Sequence, residues 1–527
     1  MARNEGPIVL TFGGGLNARR RTADVHHSEC VDASLNFDLD AQYHAFKRRK
    51  PFDLVATAPN AGAINGYAQL IKQDGTVSTL IQAGTEVYEW DGTTTFTSVG
   101  TVAAGTKLRG PREHNFTLDE IVIVTDLEKN TVVKKWDGTT FEDFAHNLGS
   151  NFFAKYCRVH RERAFFANIK TTTDTPHVVL GSEVGDSEQL SNANRPSSSL
   201  GLSAAFFIIV PDLRPINGLE AAFGQFLIST ERGRLYILAG ANAFDFDINE
   251  FHVGSAVVGA EAMKNIGNDV VMGLPGRIET LSGTLNFGDV ESNDLSIQIN
   301  SLIDDQSSWT IEYDRRLQRV YCFPGTQDAV YVMYKPMLSD PAAQGLSPWS
   351  KWTTEHDVDF SPTTVMALVD PVSSNDVVYF GDSTGNIFVF DGAGGLDGGQ
   401  DEITATRRSG LITIPEGNIF DITGWIHYRK LFDTTATLTI LGGGVAIYDQ
   451  EIELQMPGNP AVSVYNGDKE YYGDADTLYG STFSTRIYRQ DWGAAGHSSH
   501  IQVEVSVTSG NEWDIQEVGI EFRTSPT

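Results

Sequence analysis

The sequence predicts an all-β protein, a β-propeller of about seven blades, within a range of six to eight, followed by a C-terminal β-sandwich. Three observations predict it: a hairpin unit recurs along the chain, its copies are spaced by roughly 40 to 50 residues as propeller blades are, and helical periodicity is nearly absent. The clearest copy is Val377 to Gly392, VVYFGDSTGNIFVFDG, in which two apolar runs flank a polar turn and a second turn closes on Asp391-Gly392. Thr79 to Gly92 (TLIQAGTEVYEWDG) and Ile121 to Gly138 (IVIVTDLEKNTVVKKWDG) repeat the layout, closing on Asp91-Gly92 and Asp137-Gly138. Phe226 to Gly240 is a looser copy. A lone hairpin is marginal in water, so many copies must pack on one another.

The remaining units follow from the spacing. Asp91 and Asp137 stand 46 residues apart, and the longer intervals, Gly138 to Gly240 and Gly240 to Gly392, divide into about two and three units. Arg163 to Gly181, Asp269 to Gly288 and Arg316 to Tyr334 each place two apolar segments around a polar turn and fill them. Only Gly259 to Asn265 reads as a turn or two of helix. Asp391 to Glu402, DGAGGLDGGQDE, carries five glycines in twelve residues and marks a domain boundary. Beyond it, Ala436 to Leu441, Val445 to Leu454, Ile501 to Val507 and Ile515 to Phe522 read as sandwich strands. The division is therefore 1–51, an N-terminal extended segment; 52–402, the propeller; and 403–527, the sandwich. Because an open ring of blades would expose sheet edges, residues near 52 to 70 are expected to pair with strands near 377 to 412.

Composition bounds the function. At 527 residues with 41% apolar side chains the chain exceeds one ordinary core. With 39 basic against 68 acidic residues the net charge is −29, which disfavours a general grip on nucleic acid or an anionic membrane. Cys30, Cys157 and Cys322 are odd in number and far apart, which points to free thiols and folding in a reducing cytoplasm. No apolar run approaches a membrane span.

The opening of the chain carries a family likeness. Phe12 to Arg20 (FGGGLNARR), the segment ending NFDLD, and the basic KRRKP at residues 47 to 51 resemble the start of the tail hub or nozzle proteins of short-tailed bacteriophages, also called packaged-DNA stabilisation proteins. Ile216 to Leu238, Thr310 to Phe323 and the Val377 hairpin are similar in rhythm to blade strands of that family, and the family also ends in a sandwich domain. The resemblance implies a structural virion protein with no catalytic residue and no cofactor. It implies synthesis in the bacterial cytoplasm and a place in the virion tail. The subunit would form a ring, usually a hexamer, below the portal and adaptor, contact tail fibre or needle proteins, and retain duplex DNA until ejection, without membrane insertion. The ring lumen is then expected to carry more carboxylates than cations.

Most of the candidate residues have a plainer structural role. Asp91, Gly92, Asp137, Gly138, Asp391 and Gly392 read as structural blade turns, in which Asp-Gly supplies the positive backbone angle. The neighbouring Trp90 and Trp136 read as packing between blades, and neither motif matches the sialidase Asp box. The clusters Arg19, Arg20, Arg21 and Lys47, Arg48, Arg49 are the candidates for contact with an acidic partner or DNA. His26, His27, Glu29 and Cys30, the pair His497 and His500, and the carboxylates Asp391, Asp397 and Asp401 have metal-ligand types without a metal-site spacing. Asp245, Asp247 and Glu250 read as an acidic solvent face. No nucleophile elbow, phosphate-binding glycine loop or Cys-x-x-Cys is present. The alternative function is a propeller glycoside hydrolase or sugar-binding protein acting on host surface polysaccharide, which would need carboxylates and exposed tryptophans converging in the central cavity. A peptide-binding scaffold propeller fits the same fold.

Overall fold

The computed structural model describes residues 8–18, 25–26, 29–31, 33–39, 45–110, 121–123, 129, 131–149, 151–192, 204–222, 224–240, 245–254, 256–259, 261–267, 269–283, 290–325, 327–339, 346–354, 362–392, 396–399, 401–413, 420–430, 434–442, 445–454, 488–496, 500–510 and 513–524. Seven antiparallel sheets among these residues are the blades of a propeller. Blade 1 runs Ile64–Ile71, Val77–Ala83, Glu86–Trp90 and Phe96–Thr101 from the axis outward, and blades 3, 4, 5 and 6 repeat that order beginning at Phe153, Ile216, Met263 and Trp309. Blade 2 shows three strands, Ile121–Ile123, Lys134–Trp136 and Phe141–Asp143.

The repeated hairpins are the two middle strands of each four-stranded blade. These strands have neighbouring blades on both faces, so they are apolar at successive positions: Arg319–Pro324 and Val330–Tyr334 are buried at every residue. Trp90 packs edge-on against Tyr379, joining blades 1 and 7 at a ring distance of 5.3 Å. Trp136 donates from Nε1 to Ser78 Oγ at 2.9 Å, joining blades 2 and 1.

Blade 7 closes the ring. Its strands Thr364–Val369, Asp376–Gly381 and Asn386–Val389 are completed by Asp53–Thr57, which pairs antiparallel with Asn386–Val389 from the other end of the propeller sequence. The expected pairing of early with late residues is thus present, and it removes an open edge that either terminus alone would leave.

Two sheets form the C-terminal sandwich. One holds Ile403–Arg408, His500–Ser509, Thr434–Gly442 and Val445–Leu454, with Ile412–Thr413 beside His500 and Ile501. The other holds Phe420–Lys430, Tyr488–Gly496 and Trp513–Thr524, and it also receives Ile8–Thr11, Phe37–Leu39 and Phe46–Arg48. Within the N-terminal segment, Ile8–Thr11, Phe37–Leu39 and Phe46–Arg48 thus add strands to the sandwich, and described residues beside them strap it to blade 6. Gly15 and Leu16 donate backbone N–H groups to Ser347 and Trp349, and Asn36 donates to Lys351, along the outer edge of that blade. A Cβ on Gly15 would come within 2.1 Å of the Trp349 carbonyl oxygen, so this approach needs glycine.

The helix expected at Gly259 to Asn265 is absent. Met263–Asn265 is the inner strand of blade 5, held there by ladder pairing with Val270 to Met272, and the short helices lie instead at Asn300–Ile303 and Lys335–Ser339.

Candidate functional site

The inner strands of the blades must face one another around the axis, so they alternate apolar residues, which pack between blades, with charged residues, which point to the centre. A cavity of about 190 Å3 results, lined by residues from blades 1 and 3 to 6 and by Arg109 from the segment leading into blade 2. Arg109 is brought in because residues 106–110 lie close along blade 1: Tyr67 donates its N–H to the Leu108 carbonyl, and a Cβ on Gly66 would meet that oxygen at 2.2 Å.

Five cationic side chains, Arg109, Lys155, Arg158, Lys264 and Arg315, and three carboxylates, Glu220, Glu261 and Glu312, share this lining. Each carboxylate has a cation. Arg109 Nη1 lies 2.9 Å from Glu261 Oε1, Lys264 Nζ lies 2.7 Å from Glu312 Oε1, and Arg158 Nε lies 3.6 Å from Glu220 Oε2. Burial pushes the Glu220 carboxyl up, opposed by Arg158 and Lys264. Burial disfavours the Arg158 cation, but Glu220 and Glu261 outweigh this and raise its pKa. The Tyr156 hydroxyl is pushed up to about 12, chiefly by burial. At Glu220 the cations oppose the rise caused by burial without reversing it. Carboxylates do converge in the centre, as a hydrolase would need, but no tryptophan lines the cavity.

The sequence candidates lie elsewhere. Asp91 is an exposed and Asp137 a half-buried turn residue; their carboxylates accept from Thr93 N and Thr139 N at 2.8 and 2.7 Å, with Gly92 and Gly138 at φ +84° and +86°. The third turn differs. Asp391 itself takes the positive φ, +56°, and its buried carboxylate accepts from Arg319 at 2.9 and 3.2 Å rather than capping a turn. Gly392 is needed for a different reason: a Cβ there would fall 2.3 Å from the Asp53 carboxyl carbon.

The cluster Lys47, Arg48, Arg49 is not a free basic patch. Arg48 and Arg49 are buried, Arg48 donating to the Gly510 carbonyl at 2.9 Å and Arg49 donating to Asp397 Oδ1 at 2.8 Å and to the Thr353 carbonyl at 2.8 Å. A buried guanidinium is tolerated where acceptors meet its donors, as they do around Arg49, and burial removes both side chains from partner contact. Arg19, Arg20 and Arg21 lie outside the described residues, as do His27 and His497.

Two of the three carboxylates of the glycine-rich loop are neutralised from within, Asp397 by Arg49 and Asp391 by Arg319. Glu29 accepts from Asn17 Nδ2 and Ser347 N at 2.9 and 2.7 Å, a structural role. Asp245, Asp247 and Glu250 are exposed on the outer side of blade 4, away from the channel. The three cysteines are buried free thiols; burial pushes Cys30 up to about 11 and Cys157 to about 12, and it raises Cys322 as well.

The channel residues escaped the sequence reading, although a signal existed. Arg158, Glu220, Lys264 and Glu312 each stand four to six residues before a recognised hairpin, a recurrent charge on the strand that precedes it.

No family model matches the chain, and no curated protein matches it. Among solved structures it is similar to YCF48 bound to D1 peptide, at 10% identity and TM-score 0.41 over 68% of this chain and 97% of that one. It is also similar to the extracellular domain of the one-component system BT4673 from B. thetaiotaomicron, at 11% identity and TM-score 0.41 over 70% of this chain and 43% of that one. The WD40 domain of Neurospora crassa Pan2 matches at 8% identity and TM-score 0.40 over 65% and 95% of the two chains.

Proposed function

We propose that the chain is a structural, non-enzymatic subunit of a short-tailed bacteriophage tail hub or nozzle. Copies associate into a ring below the portal and adaptor, tail fibre or needle proteins attach to it, and packaged DNA is held and later passed along its axis. The outer strand of blade 3, Phe206–Ile209, supports this most directly. It is the edge of its sheet, and it exposes Phe207 (68%) and Ile209 (47%) beside Leu213 (62%). An exposed apolar edge is normally blunted by charge or covered, as blade 6 is covered by the strap. In a chain of net charge −29, copies repel one another except through uncharged surface, and Phe207, Ile209 and Leu213 present such a surface. The interlocking of propeller, sandwich and strap also suits a subunit that must bear load.

The test is the native mass of the purified protein with and without reductant, repeated on Phe207→Asp. A reductant-independent ring that falls to monomer in the variant is expected. A monomer at every concentration would overturn the ring. The second reading, a hydrolase or lectin of surface polysaccharide, draws on the three channel glutamates, and it predicts polysaccharide binding that Glu220→Gln abolishes.

A further inference from the structure

We propose that the propeller channel is a binding site for a small oxyanion, a single phosphate or carboxylate group held between Lys155 and Arg109. The charge count motivates it. Three ion pairs engage all three carboxylates of the lining, and Lys155 brings a further positive charge to this one cavity of a strongly acidic protein. Like charges gathered in a partly desolvated space repel, and an anion relieves that repulsion.

A second observation concerns hydrogen bonds. Nε and Nη1 of Arg109 are buried without a hydrogen-bond partner, because the approach to Glu261 has ion-pair distance but not hydrogen-bond alignment. Unmet guanidinium donors facing a polar cavity present the fork that suits a planar or tetrahedral oxyanion. Lys155 reaches the same cavity from blade 3 and supplies a point charge. The lining is too small for a nucleic-acid duplex, whose major groove alone is about 12 Å wide.

Calorimetric titration of the full chain with inorganic phosphate, and separately with acetate, at ionic strength fixed by sodium chloride, tests the proposal. Saturable one-to-one binding of at least one probe is expected; phosphate alone identifies a phosphoryl ligand, and acetate a carboxylate. Lys155→Gln should weaken it roughly tenfold, the effect of one charge-assisted hydrogen bond. Glu261→Gln should tighten it several-fold, because it frees Arg109 from a competing carboxylate, and this variant reads out even if Lys155→Gln folds poorly. No saturable binding of either probe, or affinities unchanged in Glu261→Gln and in folded Lys155→Gln, overturns the site. Neither variant touches blade 3's outer edge, so the native mass stays unchanged and the assembly proposal is judged apart.

Discussion

Arg319 shows how single residues hold the two modules together. Its guanidinium lies over the Tyr334 and Trp352 rings at 5.2 and 5.8 Å, donates twice to Asp391 at the end of blade 7, and reaches Asp38 of the N-terminal segment at 2.6 Å. Propeller, linker and strap thus meet at one cation, whose pKa is raised despite burial by the surrounding carboxylates, Asp38 foremost. Replacing Arg319 by Met leaves two carboxylates facing each other without a cation and should cost about 3–5 kcal/mol. Asp391→Ala should cost less, about 2–3 kcal/mol, because Asp38 still neutralises the guanidinium. Urea unfolding of both variants checks the order, and equal or reversed costs would refute this account of the node. None of this was readable in sequence, since Arg319 and Asp38 are 281 residues apart. Arg48 and Arg49 were misread for the same reason: a run of three cations looks solvated until its distant acceptors, Gly510 and Asp397, are in place.

At the scale of elements, the middle hairpins were legible and the strands around them were not. The middle strands are buried on both faces, which leaves a continuous apolar run that no loop imitates. Inner strands mix two demands, as in FAKYCRVH, where Ala154 and Cys157 pack while Lys155 and Arg158 line the channel, and the mixture resembles a loop or a short helix. Outer strands are partly exposed and short. The closing strand Asp53–Thr57 could be anticipated only from the need to remove an edge. Its Ala56 is buried against the blade 7 and blade 1 core with Met366 and Ile387. Ala56→Asp places a carboxylate there without a cation and should cost about 3–5 kcal/mol. Hydrogen exchange should then accelerate in Thr364–Val389 while Ile216–Ala239 keeps its protection. Uniform loss across all blades would instead mean that the ring unfolds as one unit, without local release at the closure.

Charge decides what the whole molecule can do with DNA. In the proposed ring the propeller channel would not be the conduit, because about 190 Å3 shared with paired side chains admits no duplex; the passage would lie between subunits. Each phosphate neutralised by Lys or Arg adds a counterion-release contribution that tightens binding and slows exit. Carboxylates repel the duplex over about one Debye length, roughly 8 to 10 Å at physiological salt. A chain with 68 acidic against 39 basic residues, whose cations Arg48, Arg49, Arg319 and Arg407 are moreover buried inside, has a surplus of carboxylates for its surface. The lumen of the assembled ring is therefore expected to carry more Asp and Glu than Lys and Arg, with the basic side chains confined to one narrow level. Arg19, Arg20 and Arg21 remain the sequence candidates for that level. A density map of the assembled ring provides the count, and a salt titration of duplex binding by the isolated subunit provides the energetics. Weak binding at physiological salt with a shallow salt slope is expected. A predominantly basic lumen, or tight duplex binding by the monomer, would remove the conduit in this form and leave the channel's polysaccharide reading as the stronger one.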